Sequence, residues 1–162
     1  MSARSERKRS RLGILAAASA GALAVTTLAL APAAQAVEPT AASIGFDCGT
    51  WGSGTADLTA TQNGTAATIT LTTDAITAPI ALSAGSVRST LTLTRNGSGT
   101  TTFTGRSNPA MAAGDPVSSG PLSGTVAAGD SLEATSLTVV VFGISVTCSA
   151  TTPQNPGPFV FS

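Results

Sequence analysis

The 162-residue chain carries eight basic and eight acidic residues, a single lysine, and neither histidine nor tyrosine. Five of the basic residues fall in the first eleven positions; from Val37 onward three arginines stand against seven carboxylates, a net charge of −4. That remainder argues against nucleic acid as a partner and against a polybasic dock on anionic lipid. Without an imidazole, amine or phenolate base, it also lacks the usual means of activating a serine or threonine nucleophile.

Taken from the N-terminus, Arg4, Arg7, Lys8, Arg9 and Arg11 form a basic region ahead of the uncharged apolar stretch Leu12 to Leu30. Ala34-Gln35-Ala36 then supplies the small residues of a cleavage site. Residues 1–36 therefore read as a secretory signal peptide, which predicts a secreted, extracellular product that starts at Val37. No later apolar run reaches the roughly 18–20 residues that span a bilayer, so no transmembrane segment is expected after cleavage. The 126 residues that remain are the size of one domain. Residues 37–43 read as a linker, 44–150 as the folded domain, and 151–162 as a Pro-rich tail.

After Ala36 the recurring pattern is alternation with period two, the mark of half-buried strands. Ile44, Phe46 and Cys48 share one face of a first strand. Ala56, Leu58 and Ala60 share a face of the next, and Ala67, Ile69 and Leu71 a face of the one after. Asn63-Gly64 between these last two predicts a two-residue type I′ hairpin pairing Gln62 with Thr65 and Leu58 with Ile69. Asn96-Gly97 looks alike, but a two-residue turn there would set Leu91 opposite Thr102 and turn Phe103 to the wrong face. A longer loop is therefore expected: three residues would pair Leu91 with Phe103, and five would pair Leu93 with Phe103. Ile76 to Leu82, interrupted by Pro79, suits an edge or sheet-switching strand. Asn108 to Gly120 reads as an irregular connection and Leu122 to Val126 as a short strand. A turn is expected at Gly129-Asp130. Leu137 to Phe142, the most apolar run, predicts a central strand, with Ile144, Val146 and Cys148 on one face beyond it.

Some seven to nine short antiparallel strands and no helix predict an immunoglobulin-like β-sandwich, with a small closed barrel as the alternative. Trp51 and five phenylalanines are the only aromatics, so the core should be modest and built from Val, Leu, Ile and Ala. Cys48 and Cys148 each close an alternating apolar run, which predicts one disulfide joining the first and last core strands. A redox role would need a Cys-x-x-Cys spacing or a nearby base, and the chain has neither.

The carboxylates are scattered, with no Asp-x-Asp-x-Asp-Gly loop for calcium and no histidine for zinc or copper. No metal, cofactor or catalytic residue is expected, and the protein reads as a non-enzyme. Trp51, in the glycine-rich stretch Cys48 to Gly54, is the candidate ligand contact, either stacking on a sugar ring or folded over the disulfide. The threonine rows 68–72 and 90–94 read as ordinary solvent-facing strand surface. Phe159-Val160-Phe161 is expected to dock on its own domain or add a strand to a partner. Asn63-Gly-Thr65 and Asn96-Gly-Ser98 match the glycosylation sequon but read first as turns.

The leader ending Ala34-Gln35-Ala36 and the opening Phe46-Asp47-Cys48 resemble those of small exported β-sandwich proteins of actinobacteria. Pro79 followed by Ala84-Gly85, and the closing Val146-Thr147-Cys148, add to the likeness. The resemblance implies a fold and a compartment, and no site residue. The resulting expectation is a secreted binding or structural protein at the cell surface, its partner a cell-wall polysaccharide or another surface protein. The alternatives are a carboxylate-dependent hydrolase, or an inhibitor presenting the segment Arg106 to Pro116.

Overall fold

The alternating Thr-rich runs form strands whose apolar side chains turn to a common interior. The computed structural model describes residues 36–162, and the signal peptide read over residues 1–36 lies outside them except for Ala36. The strands are β1 (Ala41–Asp47), β2 (Ser53–Asn63), β3 (Ala66–Thr77), β4 (Arg88–Arg95), β5 (Gly99–Gly105), β6 (Pro116–Thr125), β7 (Ser131–Val141), β8 (Ile144–Ala150) and β9 (Phe159–Val160). A 3-10 turn, Gly49–Trp51, follows β1.

The sheet closes on itself, which overturns the immunoglobulin-like sandwich. Around the wall the order is β4, β5, β6, β3, β2, β1, β8, β7, and β7 then pairs back onto β4. That last ladder runs from Arg88 opposite Val140 to Arg95 opposite Leu132, all antiparallel. In a sandwich β4 and β7 would be free edges; here they satisfy one another, and the result is an eight-stranded barrel. The alternation could not separate the two, because one buried face per strand is common to both. What separates them is a pairing between strands about 40 residues apart, which no local pattern records.

Two of the wall's seams are short. β5 meets β6 at Thr104 opposite Ser123 alone, and β1 meets β8 only at Phe46–Ala150 and Asp47–Ser149. The rest of the β1 edge is covered by the C-terminal segment, through Ser43 opposite Asn155 and Glu38 opposite Val160.

The β2–β3 hairpin forms, with its turn one residue further along than expected. Asn63 pairs with Ala66 and Leu58 with Leu71, leaving Gly64-Thr65 as the two-residue loop. Gly64 has φ +61° while Thr65 is not in the left-handed region, so glycine alone, at the first central position, takes positive φ, the type II′ arrangement. The move keeps side-chain parity, so every apolar residue still faces inward. A Cβ on Gly64 would touch nothing within 4 Å, so Gly64→Ala tests backbone conformation alone. The expected result is a loss of about 1 kcal/mol or more, read from the urea midpoint. At the other hairpin the three-residue loop forms: Arg95 pairs with Gly99 and Leu91 with Phe103.

Three further segments depart from expectation. β3 runs on to Thr77, so Ile76 to Leu82 is no separate strand. β6 begins at Pro116, with a bulge at Gly120-Pro121 where Leu71 pairs Ser119 but Ile69 pairs Leu122. Phe142 falls outside β7, in a tight turn with Gly143 between Val141 and Ile144.

The interior is packed at one pole. Leu58, Ile69, Leu93, Phe103, Leu122, Leu132, Phe159 and Phe161 are each fully buried there. The two C-terminal phenylalanines reach it because β9 pairs with the start of β7, at Ser131–Val160 and Leu132–Phe159. Polar contacts hold the segment. Buried Gln154 accepts from the Ala134 N–H at 3.2 Å and donates to the Gly157 carbonyl at 2.9 Å. Gln62 donates to the Ser162 carbonyl at 2.7 Å, and the Ser162 hydroxyl donates to the Ala36 carbonyl at 3.0 Å. Beside them Asp130 accepts from the Ala127 N–H at 2.8 Å and lies 3.5 Å from Arg95 Nε, tying the β6–β7 turn to the β4–β5 hairpin.

Candidate functional site

The opposite pole is not filled. Here β1, β3, β5 and β7 end while β2, β4, β6 and β8 begin, and the inward positions carry small residues such as Ala56, Ser119, Ala134 and Ala150. The consequence is a cavity of about 470 Å³, within the usual range for small-molecule sites of roughly 300–1,000 Å³. Its back wall is Leu137, Val139 and Val141 of β7 with Val146 and Cys148 of β8. These face each other in register, Val139 opposite Val146 and Leu137 opposite Cys148, and all five are only half-buried. Ile44 and Phe46 of β1 and Leu71 and Leu91 of β3 and β4 complete the apolar lining.

Two long connections close one flank. Residues 78–87 and 106–115 are held together where Leu82 and Met111 exchange backbone bonds at 2.8 and 2.9 Å. Ala78, Leu82, Val87 and Met111 make a small apolar cluster of their own, with Val139 and Val141 packed against it. Buried Asn108 braces the pair: it accepts from the Val87 N–H at 2.8 Å and donates to the Ser83 carbonyl at 3.1 Å. The segment considered as an inhibitor loop, Arg106 to Pro116, is thus packed down at Asn108 and Met111 rather than presented whole to solvent.

Among the described residues, no charged side chain lines the cavity. Its polar atoms are hydroxyls, chief among them Ser119, whose Oγ donates to Ser89 Oγ at 2.5 Å in the buried wall. Such a surface excludes ions and repays occupation by hydrocarbon, at about 25 cal/mol per Å² of apolar area removed from water.

The cysteines are joined, as the sequence led one to expect, and both sulfurs' residues line this cavity. The disulfide therefore fastens the start of the Trp51 turn to β8 at the open pole. Trp51 stands at the rim, 50 % exposed, beside the opening. Ile80, Phe142 and Ile144 share the rim, each more than half exposed. The sequence reading named Trp51 and missed these three. The missed signal was parity: Leu137, Val139 and Val141 pair with Cys148, Val146 and Ile144 around a Phe142-Gly143 turn, a row of apolar pairs with no aromatic to fill the space in front.

The described carboxylates are not among the residues that line the cavity. Asp47 caps the Gly49 N–H at 2.7 Å, Asp115 caps Ala112 at 2.6 Å, Asp130 serves the β6–β7 turn, and Glu133 accepts from the Gln154 N–H at 3.3 Å. Among the described residues no three His, Cys, Asp or Glu side chains group as metal ligands. No helix there is long and apolar enough to cross a membrane. In the first threonine row the Thr68 hydroxyl meets that of Thr61 at 2.7 Å, and Thr90 of the second row pairs with Thr138, whose hydroxyl meets that of Thr147 at 3.2 Å.

The eight-stranded barrel thus has an apolar interior that is packed at one end and open at the other. Comparison with protein-family models, curated proteins and solved structures finds no match to this chain.

Proposed function

We propose that this is an exported, non-enzymatic binding protein that takes the hydrocarbon portion of a small amphiphile or lipid into the open pole of its barrel. The observation that carries this reading is the uncharged, aliphatic cavity of about 470 Å³. Export is supported by the leader pattern in residues 1–36 and by the disulfide, which persists in oxidising compartments. A polysaccharide is a poorer fit. A sugar needs several hydrogen-bonding partners around a stacking ring, and the lining offers scattered hydroxyls without a carboxylate, amide or guanidinium side chain.

The test is titration with N-phenyl-1-naphthylamine, a neutral probe whose emission rises in apolar surroundings. The wild-type protein should bind it saturably at one site. Val146→Trp, which fills the cavity from β8, should weaken binding at least tenfold while leaving the far-ultraviolet circular dichroism of the barrel in place. Absence of saturable enhancement in the wild type would remove the hydrocarbon reading.

A further inference from the structure

The rim of the cavity has a property that ligand binding inside it does not require. Among the described residues, five large apolar side chains stand exposed: Trp51, Ile80, Phe142, Ile144 and Val160. Four of them border the one opening, and only Val160, on β9, lies at the packed pole. They come from separate places, the 3-10 turn after β1, the 78–87 connection and the β7–β8 turn.

Phe142 is the most telling. It is 71 % exposed and held at φ +51°, with Gly143 after it at φ +82°. A two-residue turn with both central residues in the left-handed region suits Asn-Gly. A bulky side chain at positive φ is an outlier that costs conformational energy. Phe142 recovers little of that by packing within its own chain.

We propose that the open pole docks on a zwitterionic phospholipid bilayer, with Trp51, Ile80, Phe142 and Ile144 entering the headgroup region. The inference rests on the hydrocarbon reading of the cavity, because a bilayer is where such a ligand is held. Seating the opening there lets a chain pass inward without crossing water. Separate loop tips ringed around a hole suit a deformable medium better than a flat protein face, and tryptophan favours the membrane–water boundary.

Charge selects the kind of bilayer. Arg88 pairs with Val140, two residues from Phe142, and Arg106 follows Gly105, the partner of Ser89. Asp47, Asp74 and Asp115 belong to the same pole, at the ends of β1 and β3 and just before β6. Arg88 and Arg106 line one small pocket, but the three carboxylates outnumber them, so the pole carries both signs with no net positive charge, which complements headgroups bearing both signs and gives no net attraction to an acidic surface.

Flotation of the purified protein with phosphatidylcholine vesicles tests this. The wild type should float with the vesicles, and Phe142→Asn should reduce the bound fraction at least tenfold. The same variant should melt about 2–5 °C higher, since asparagine suits the turn, which rules out misfolding as the cause of lost binding. Val160→Ser, at the packed pole, should float as the wild type does. A wild type that stays in solution overturns the proposal, as does a Phe142→Asn variant that floats equally well. Preference for phosphatidylglycerol over phosphatidylcholine vesicles overturns the choice of surface. A concentration-dependent dimer that Phe142→Asn abolishes, with no flotation, assigns the rim to a second copy of the chain instead. The naphthylamine titration without vesicles reports on the cavity alone, so flotation without probe binding would sink the ligand reading and leave the docking face standing.

Discussion

Replacing Phe159 and Phe161 together by alanine is expected to abolish cooperative unfolding at 25 °C. Both rings are fully buried among Leu58, Ile69, Leu93, Phe103, Leu122 and Leu132. Truncating a buried phenylalanine costs about 3–5 kcal/mol each, from lost transfer energy and the void left behind. Together they approach the whole stability of a domain this size, typically about 5–15 kcal/mol. The two side chains are neighbours in one cluster, so their costs need not add in full. Each single variant should still melt cooperatively, at a clearly lower temperature. Thermal denaturation followed by circular dichroism distinguishes the cases. A double variant with a wild-type melt would mean that the closing segment contributes no core.

The second large effect belongs to the disulfide. Cys48→Ser with Cys148→Ser opens a loop of 100 residues, and the chain-entropy estimate for that length is about 4–5 kcal/mol. The expected fall in melting temperature is roughly 15 °C. Because both cysteines line the cavity and the bond anchors the Trp51 turn, the naphthylamine probe should also bind more weakly at temperatures where the variant remains folded. A melting temperature unchanged by reduction would refute the staple. Weakened stability with unaltered probe affinity would place its whole effect on the unfolded chain.

Much of the wall was legible from residues alone because strand parity is local. Leu58 and Leu71 meet through alternation that survives a one-residue displacement of the turn, and the Asn96 loop yielded to the requirement that Phe103 face inward. Closure was not legible. It depends on Leu91 meeting Leu137, and nothing in either run names the other. The cavity was hidden for a related reason. Scarcity of aromatics pointed to a modest core, yet whether small side chains leave a void depends on which strands face each other around the ring. Trp51 stood out as the lone tryptophan in a glycine-rich stretch, while Phe142 passed for the last residue of an apolar strand. Its place in a turn became visible only once Val141 was seen to pair with Ile144.

The pairing of Glu38 with Val160 has an architectural corollary. Val37 and Ser162 therefore lie close together at the packed pole, and the β1–tail and β7–β9 pairings hold both in place. Anything fused at either end, whether a second domain, a tag or a solid support, stands behind the barrel rather than in front of it. A protein immobilised through residue 162 therefore presents its opening outward, as a cup fixed by its base.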